Sequence, residues 1–224
     1  MTAVAAGIAS EAGRGPPPDP LPRAFYARSV DELAPALLGT RLIRAWPGRA
    51  RSSGMIVEVE AYGGPEDLAS HARSGRTARN ATMWGPAGRA YVYRVYGLHL
   101  CLNIVAGEAG AAGAVLVRAV MPDGDDAHFR ARRARRDGAP IDVARWASGP
   151  GNVGRAFGID LALDGTDLTE PGPLWLEAGA KMEYDVVRGP RIGVAYAGSD
   201  WAARWRRFGL RGHPALSRPF PPGT

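Results

Sequence analysis

Between Met55 and Val105 the chain gathers carboxylates, aromatics and arginines in a pattern that folding alone does not require. One strand-like run ends Glu58-Val59-Glu60-Ala61-Tyr62, and another reads Tyr91-Val92-Tyr93-Arg94-Val95-Tyr96-Gly97. Brought together, they would form a stacking pocket with an acid at its floor, suited to a flat, electron-poor ring. Glu58 and Glu60 lie two apart, so they share one strand face while Val57 and Val59 take the other. Two solvated surface carboxylates would satisfy that pattern, and so would a catalytic glutamate. Glu60, nearer the strand end, is the better placed for catalysis, because Tyr62 shares its face and His71 follows the turn. Tyr91 and Tyr93 alternate onto one face, where they serve equally as core. Tyr96 falls at a hairpin tip beside Gly97; a bulky ring there is exposed and, on a basic protein, can enter a base stack.

Composition narrows the chemistry. The chain has 224 residues, 46% of them hydrophobic, ample for one packed domain. A net charge of +6 and a pI near 10.0 suit an anionic partner such as nucleic acid. Nearly all the positive charge is arginine, which makes bidentate phosphate contacts and stacks on rings. Lys181 is the only lysine, so a lyase working through an imine is disfavoured. Cys101, the single cysteine, excludes an internal disulfide framework and reads as a small buried hydrophobe. His71, His99, His128 and His213 lack paired metal-ligand spacing, so no metal and no cofactor are expected. No apolar run approaches membrane-span length, and the apolar opening lacks the basic flank of a signal peptide. A soluble, intracellular protein is expected.

The elements that must position these residues follow from periodicity. Residues 1–22, rich in Ala, Gly and Pro, read as a disordered tail, 23–218 as one domain and 219–224 as a C-terminal tail. Ser29-Val30-Asp31-Glu32 matches a capping box ahead of Leu33, Leu37 and Leu38, with Gly39 as the stop. Strands are predicted over 41–46, 54–62, 91–96, 99–105 and 114–120, spaced closely enough for antiparallel pairing. Residues 73–88 read as a basic surface loop and 125–136 as a basic helix. Further short strands are expected at 174–178, 185–188 and 191–196. Gly149-Pro150-Gly151-Asn152-Val153-Gly154 has the formal G-x-G-x-x-G spacing, but no strand precedes it and Pro150 interrupts it. A helix start that can hold a phosphate fits better than a dinucleotide site. The fold class is α+β: a single domain with a mostly antiparallel, curved sheet and flanking helices.

Glu60-Ala61-Tyr62-x-Gly64-Pro65-Glu66-Asp67, His71-x-Arg73, Arg79-Asn80, Tyr91-Val92-Tyr93-x-x-Tyr96-Gly97, Cys101-x-Asn103, Leu116-Val117-Arg118-Ala119 and Ser148-Gly149-Pro150-Gly151 occur in that order. Together they resemble the alkyladenine DNA glycosylases, the 3-methyladenine DNA glycosylases of the methylpurine type, over roughly 25–217. The resemblance implies a fold similar to the C-terminal domain of methionyl-tRNA formyltransferases. It also implies a monofunctional enzyme that flips a damaged purine (3-methyladenine, 7-methylguanine, hypoxanthine or ethenoadenine) from duplex DNA and hydrolyses its N-glycosidic bond. A non-catalytic nucleic-acid-binding module on the same fold is the alternative.

By that resemblance Glu60 would be the general base and Arg118 would position the water and keep Glu60 ionised. Tyr62 and Tyr93 would sandwich the base, with His71 on the remaining side offering its backbone amide. Asn103 would screen against the 2-amino group of guanine. Tyr96 would fill the gap in the stack, and Arg76 and Arg79 would hold phosphates. Glu58 falls back to the surface or to support behind the site. No acid for neutral leaving bases is identified. The implied partner is double-stranded DNA carrying damaged purines, met by a monomer in the cytoplasm at the nucleoid, or in the nucleus of a eukaryote.

Overall fold

Two short helices, α1 (Arg23–Tyr26) and α2 (Val30–Leu37), follow a β-bridge between Pro20 and Glu177. This computed structural model describes residues 19–48, 51–95, 97–124, 126–135, 137–179 and 184–221. Most of the N-terminal tail, Tyr96 and Lys181 lie outside them. The capping box at Ser29 forms as expected: the Glu32 carboxylate accepts from both the Ser29 amide (3.1 Å) and its hydroxyl (2.7 Å).

Strands β1 (Arg41–Arg44), β2 (Ser52–Tyr62), β3 (Ala90–Val95), β4 (His99–Ala106) and β5 (Gly113–Pro122) follow. Helices α3 (Ala127–Arg133), α4 (Val143–Trp146) and α5 (Pro150–Ala156) come next, then β6 (Leu174–Glu177), β7 (Val186–Gly189), α6 (Gly198–Ala203) and β8 (Arg207–Leu210). One sheet runs β3-β4-β5-β2-β1-β6, with β8 joining the far half of β2 and carrying β7. Every pairing is antiparallel. The fold is thus a single α+β domain.

The sheet has one apolar and one chemical face, as period-two alternation dictates. Val57, Val59 and Ala61 of β2, Val115 and Val117 of β5 and Leu102 and Ile104 of β4 belong to the main core with Leu33, Phe129, Trp146, Val153 and Phe157 of the helical side. Glu58, Glu60 and Tyr62 are carried by the opposite face. Between Ile56 and Val59 the β2–β5 register shifts twice, skipping Val57 on one strand and Arg118 on the other. Such irregularities bend the pair and re-aim side chains.

Several expectations change. Helix α3 is shorter than 125–136, ending at Arg133, and is anchored by buried Phe129 against Phe157 at 4.8 Å between ring centroids. The basic stretch after His71 is stapled rather than loose, with 3₁₀ turns at His71–Ser74 and Ala81–Trp84. Buried Asn80 ties it, accepting from the Thr77 amide (2.7 Å) and donating to the His71 and Gly75 carbonyls (2.9 Å each). Residues 191–196 form no strand: Gly193 has φ +78°, Arg191 is committed to an internal ion pair, and a 3₁₀ turn covers Ala195–Ala197. The strand in this region is β8, which alternation around Trp201 and Trp205 does not announce.

The glycines of the G-x-G-x-x-G serve packing. Gly149 has φ +102°, a Cβ on Gly151 would lie 3.0 Å from the His99 ring, and one on Gly154 would lie 2.0 Å from the Leu100 carbonyl oxygen. Helix α5 therefore rests directly on β4, and Pro150 at its first position supplies no N–H. Among the described residues, no helix is long and apolar enough to cross a membrane.

Candidate active site

Glu60 is fully buried on the chemical face, yet its carboxylate is well served. Oε1 accepts from the Ile192 amide (2.7 Å), and Oε2 accepts from the Tyr62 hydroxyl (2.8 Å) and lies 3.2 Å from Nη1 of Arg118. Burial pushes its pKa above the ordinary glutamate value; Arg118, the Ile192 amide and the Tyr62 hydroxyl oppose that rise, while Glu58 adds to it. A carboxylate kept basic but paired can accept a proton from water.

Arg118 connects the two glutamates. Its Nε donates to Glu58 Oε1 at 3.0 Å and its Nη2 to the Ser217 hydroxyl at 3.2 Å. Glu58 is no surface residue: it is fully buried because Arg118, Arg207 (3.2 Å) and Ser217 neutralise or hydrogen-bond it. Of its two expected positions the surface one is overturned: Glu58 is buried and in contact with Arg118.

The aromatic residues meet as the sequence suggests. Tyr62, His71, Tyr91, Tyr93 and Asn103 line one cavity, joined by Tyr196. The His71 and Tyr93 ring centroids are 4.4 Å apart, edge to face, and Tyr91 and Tyr93 are 5.4 Å apart. Burial, with Arg79 and Arg73 nearby, lowers the His71 pKa to about 4, so the imidazole is neutral near pH 7. Its Nδ1 pairs with the Tyr91 hydroxyl at 2.9 Å. Burial raises the phenol pKa values of Tyr62, Tyr91 and Tyr93, so these walls are neutral as well. The Asn103 amide nitrogen donates to the Tyr91 carbonyl (3.1 Å), which orients its side chain at the cavity. Cys101 is buried and its thiol is pushed up to about 11 by desolvation, away from reactive thiolate chemistry.

Arg76 and Arg79 are both exposed on the stapled loop. Arg79 donates to the Arg94 carbonyl (2.9 Å) and lies 5.9 Å from the Tyr93 ring centroid, so it borders the cavity. Tyr96 lies outside the described residues, but its hairpin neighbour Leu98 is 83% exposed at the tip between β3 and β4.

The methylpurine-DNA glycosylase family model matches residues 24–214, most of the chain, and takes in every one of these cavity residues. The chain belongs to that family. As a member it is a DNA glycosylase, a hydrolase acting on N-glycosyl bonds. Similar proteins named "Putative 3-methyladenine DNA glycosylase" occur in Anaeromyxobacter dehalogenans (46% identical over 206 residues, 91% of this chain and 88% of the relative) and Rhodopseudomonas palustris (45% over 200 residues, 89% and 92%). One from Streptomyces avermitilis is 43% identical over 203 residues, 88% and 91% of the two chains.

Several residues of this glycosylase's site were missed by the sequence reading. Arg191 pairs with buried Asp67 through two nitrogens (2.6 and 3.0 Å), donates to the Ala61 carbonyl and lies 4.8 Å from the Tyr62 ring centroid. It fixes the strand end and one side of that ring. Tyr196, anchored through its hydroxyl to the Ala69 carbonyl (2.9 Å), completes the cavity wall. Asp67 lay inside a motif without a role; a carboxylate five residues past the strand end at Tyr62, just after Gly63-Gly64-Pro65, was the available signal.

Proposed function

We propose that this glycosylase excises alkylated and deaminated purines from duplex DNA by direct hydrolysis, with Glu60 as general base and Arg118 holding Glu60 and the water. The observation that carries this reading is the buried Glu60–Arg118 pair, linked through the Tyr62 hydroxyl to a cavity of neutral aromatic walls. A module that only binds nucleic acid has no use for such a pair. The flipped base stacks between Tyr62 and Tyr93, beside His71 and its backbone amide, while Asn103 disfavours a 2-amino group. Tyr96 fills the vacated stack, and Arg76 and Arg79 hold phosphates.

In the reaction the water oxygen bonds to C1′, the C1′–N bond breaks with its electron pair moving to the base, and the water proton passes to Glu60. A cationic base such as 3-methyladenine leaves neutral, so it needs no acid. Uncharged aromatic walls attract that cation through ring–cation contacts worth about 0.5–2 kcal/mol. Neutral hypoxanthine requires protonation, and the described cavity groups hold no acid that is protonated and acidic near pH 7.

Duplexes carrying 3-methyladenine or hypoxanthine, incubated without metal, should release free base and acquire alkali-labile sites, 3-methyladenine faster. Glu60→Gln should lower the single-turnover rate by at least about 10²-fold; full activity in that variant would remove the assignment. A borohydride-trapped protein–DNA adduct would contradict hydrolysis by water. Tyr96→Ala should weaken capture of the flipped state, seen as a smaller fluorescence change with ethenoadenine.

A further inference from the structure

The residues behind Arg118 form a closed charge cluster that includes chain beyond the family match. Glu58 and Glu60 supply two carboxylates, Arg118 and Arg207 two guanidiniums, and all four residues are buried. The segment after β8 closes the cluster. The Ser217 amide (2.6 Å) and hydroxyl (2.8 Å) both donate to Glu58, and the same hydroxyl accepts from Arg118. The Arg218 and Pro219 carbonyls accept from Arg207 at 3.2 and 3.1 Å. Phe220 lies under the Arg207 guanidinium, 3.7 Å from ring centroid to Cζ. Arg118 thus has each nitrogen assigned: Nη1 to Glu60, Nε to Glu58, Nη2 to Ser217. A planar guanidinium gripped at three nitrogens has one orientation.

We infer that Glu58 and Ser217 are positioning residues for excision, fixing Arg118 against Glu60, and that the C-terminal strap is therefore part of the working site. The inference rests on the catalytic reading of Glu60 and Arg118 above. Glu58 also has an electrostatic consequence. Burial apart, Arg118 lowers the Glu60 pKa and Glu58 raises it, so replacing Glu58 by glutamine removes the opposing carboxylate and leaves Arg118 facing Glu60 alone. The other groups facing Glu60 are Tyr62 on its own strand, Tyr93 on β3, Cys101 on β4, Arg118 on β5, Arg207 on β8, and Arg191 and Tyr196 on the segment between β7 and α6. Burial raises the phenols and the thiol well above neutral pH, and the pKa values of Arg118 and Arg191 are raised further from it, so the change in Glu58 is isolated.

The test is single-turnover base release from lesion duplex as a function of pH, in the full chain. Glu58→Gln should reduce the plateau rate roughly 10- to 100-fold, the scale of a misplaced catalytic group. It should also move the acid limb to lower pH, since the unopposed positive charge of Arg118 holds Glu60 ionised. Partial unfolding would lower the amplitude and leave the limb where it is. An acid limb that stays put, or a wild-type plateau, overturns the role of Glu58. Ser217→Ala is the gentler variant: the backbone bond to Glu58 stays and only the hydroxyl goes. A several-fold rate loss with unchanged lesion-DNA affinity and melting temperature, restored by Ser217→Thr, is expected; a wild-type rate overturns the role of Ser217. If wild-type protein releases no base, or Glu60→Gln remains active, the underlying reading fails instead.

Discussion

At the scale of single residues, the proposed mechanism turns on whether a fully buried Glu60 can serve as a base. Desolvation favours its neutral form, and Arg118, the Ile192 amide and the Tyr62 hydroxyl favour the charged form. The net pKa stays above the ordinary 4.5, and in the proposed role Glu60 must be ionised to act. Excision should therefore rise with pH, with an acid-limb midpoint above 4.5. Removing the largest opposing charge with Arg118→Gln should carry that midpoint further upward while lowering the plateau. A downward or absent shift in the single-turnover pH profile would refute the electrostatic part of the assignment. Glu60, Tyr62 and Arg118 were legible as candidates for one site because each sits in a short local motif, and the structure brings them together. Ile192, Arg191, Arg207 and Ser217 were not, since each reaches the site from more than 100 residues away in sequence. A backbone amide such as that of Ile192 has no side-chain signature at all.

At the scale of elements, α5 shows how a motif can be real and misleading. Its glycine spacing matches a phosphate loop, yet Gly154 is there because helix and strand backbones touch. Gly154→Ala would force a Cβ to within 2.0 Å of the Leu100 carbonyl oxygen, backbone against backbone. Overpacking of this kind costs about 3 kcal/mol, which for a chain of this size lowers Tm by roughly 6–12 °C. Gly151→Ala meets only the His99 side chain at 3.0 Å, which can turn aside, so its loss should stay under about 1 kcal/mol. Thermal melts of the two variants compare them directly, and equal Tm values would reject the packing explanation. The central strands β2 to β5 were legible because alternation and close spacing act locally. β8 escaped because Arg207 looks like a surface residue; its burial depends on Glu58, the Arg218 and Pro219 carbonyls and Phe220, none adjacent in sequence. The false strand at 191–196 has the same origin, an arginine whose buried partner Asp67 is remote.

At the scale of the whole molecule, the net charge of +6 overstates in one place and understates in another what DNA meets. Arg118, Arg191 and Arg207 are buried and paired with Glu58, Glu60 and Asp67, so they add little to the outer field. Arg73, Arg76 and Arg79 are exposed on the stapled loop beside the aromatic cavity, where their charge is concentrated. Attachment through Asn80 holds the loop backbone there, which leaves mainly the side chains to be ordered on binding. Each arginine that neutralises a phosphate releases counterions, so log Kd should depend linearly on log salt, with a slope of about 0.9 per contact. Arg76→Ala should reduce that slope by about 1 and weaken lesion and undamaged duplexes alike, because a phosphate contact carries no base information. Glu60→Gln should leave the slope unchanged, its charge being internal to the domain. Anisotropy titrations over a salt series measure both. A slope that survives Arg76→Ala would place the phosphate track elsewhere, with the exposed part of the α3 arginine cluster the next surface to mutate.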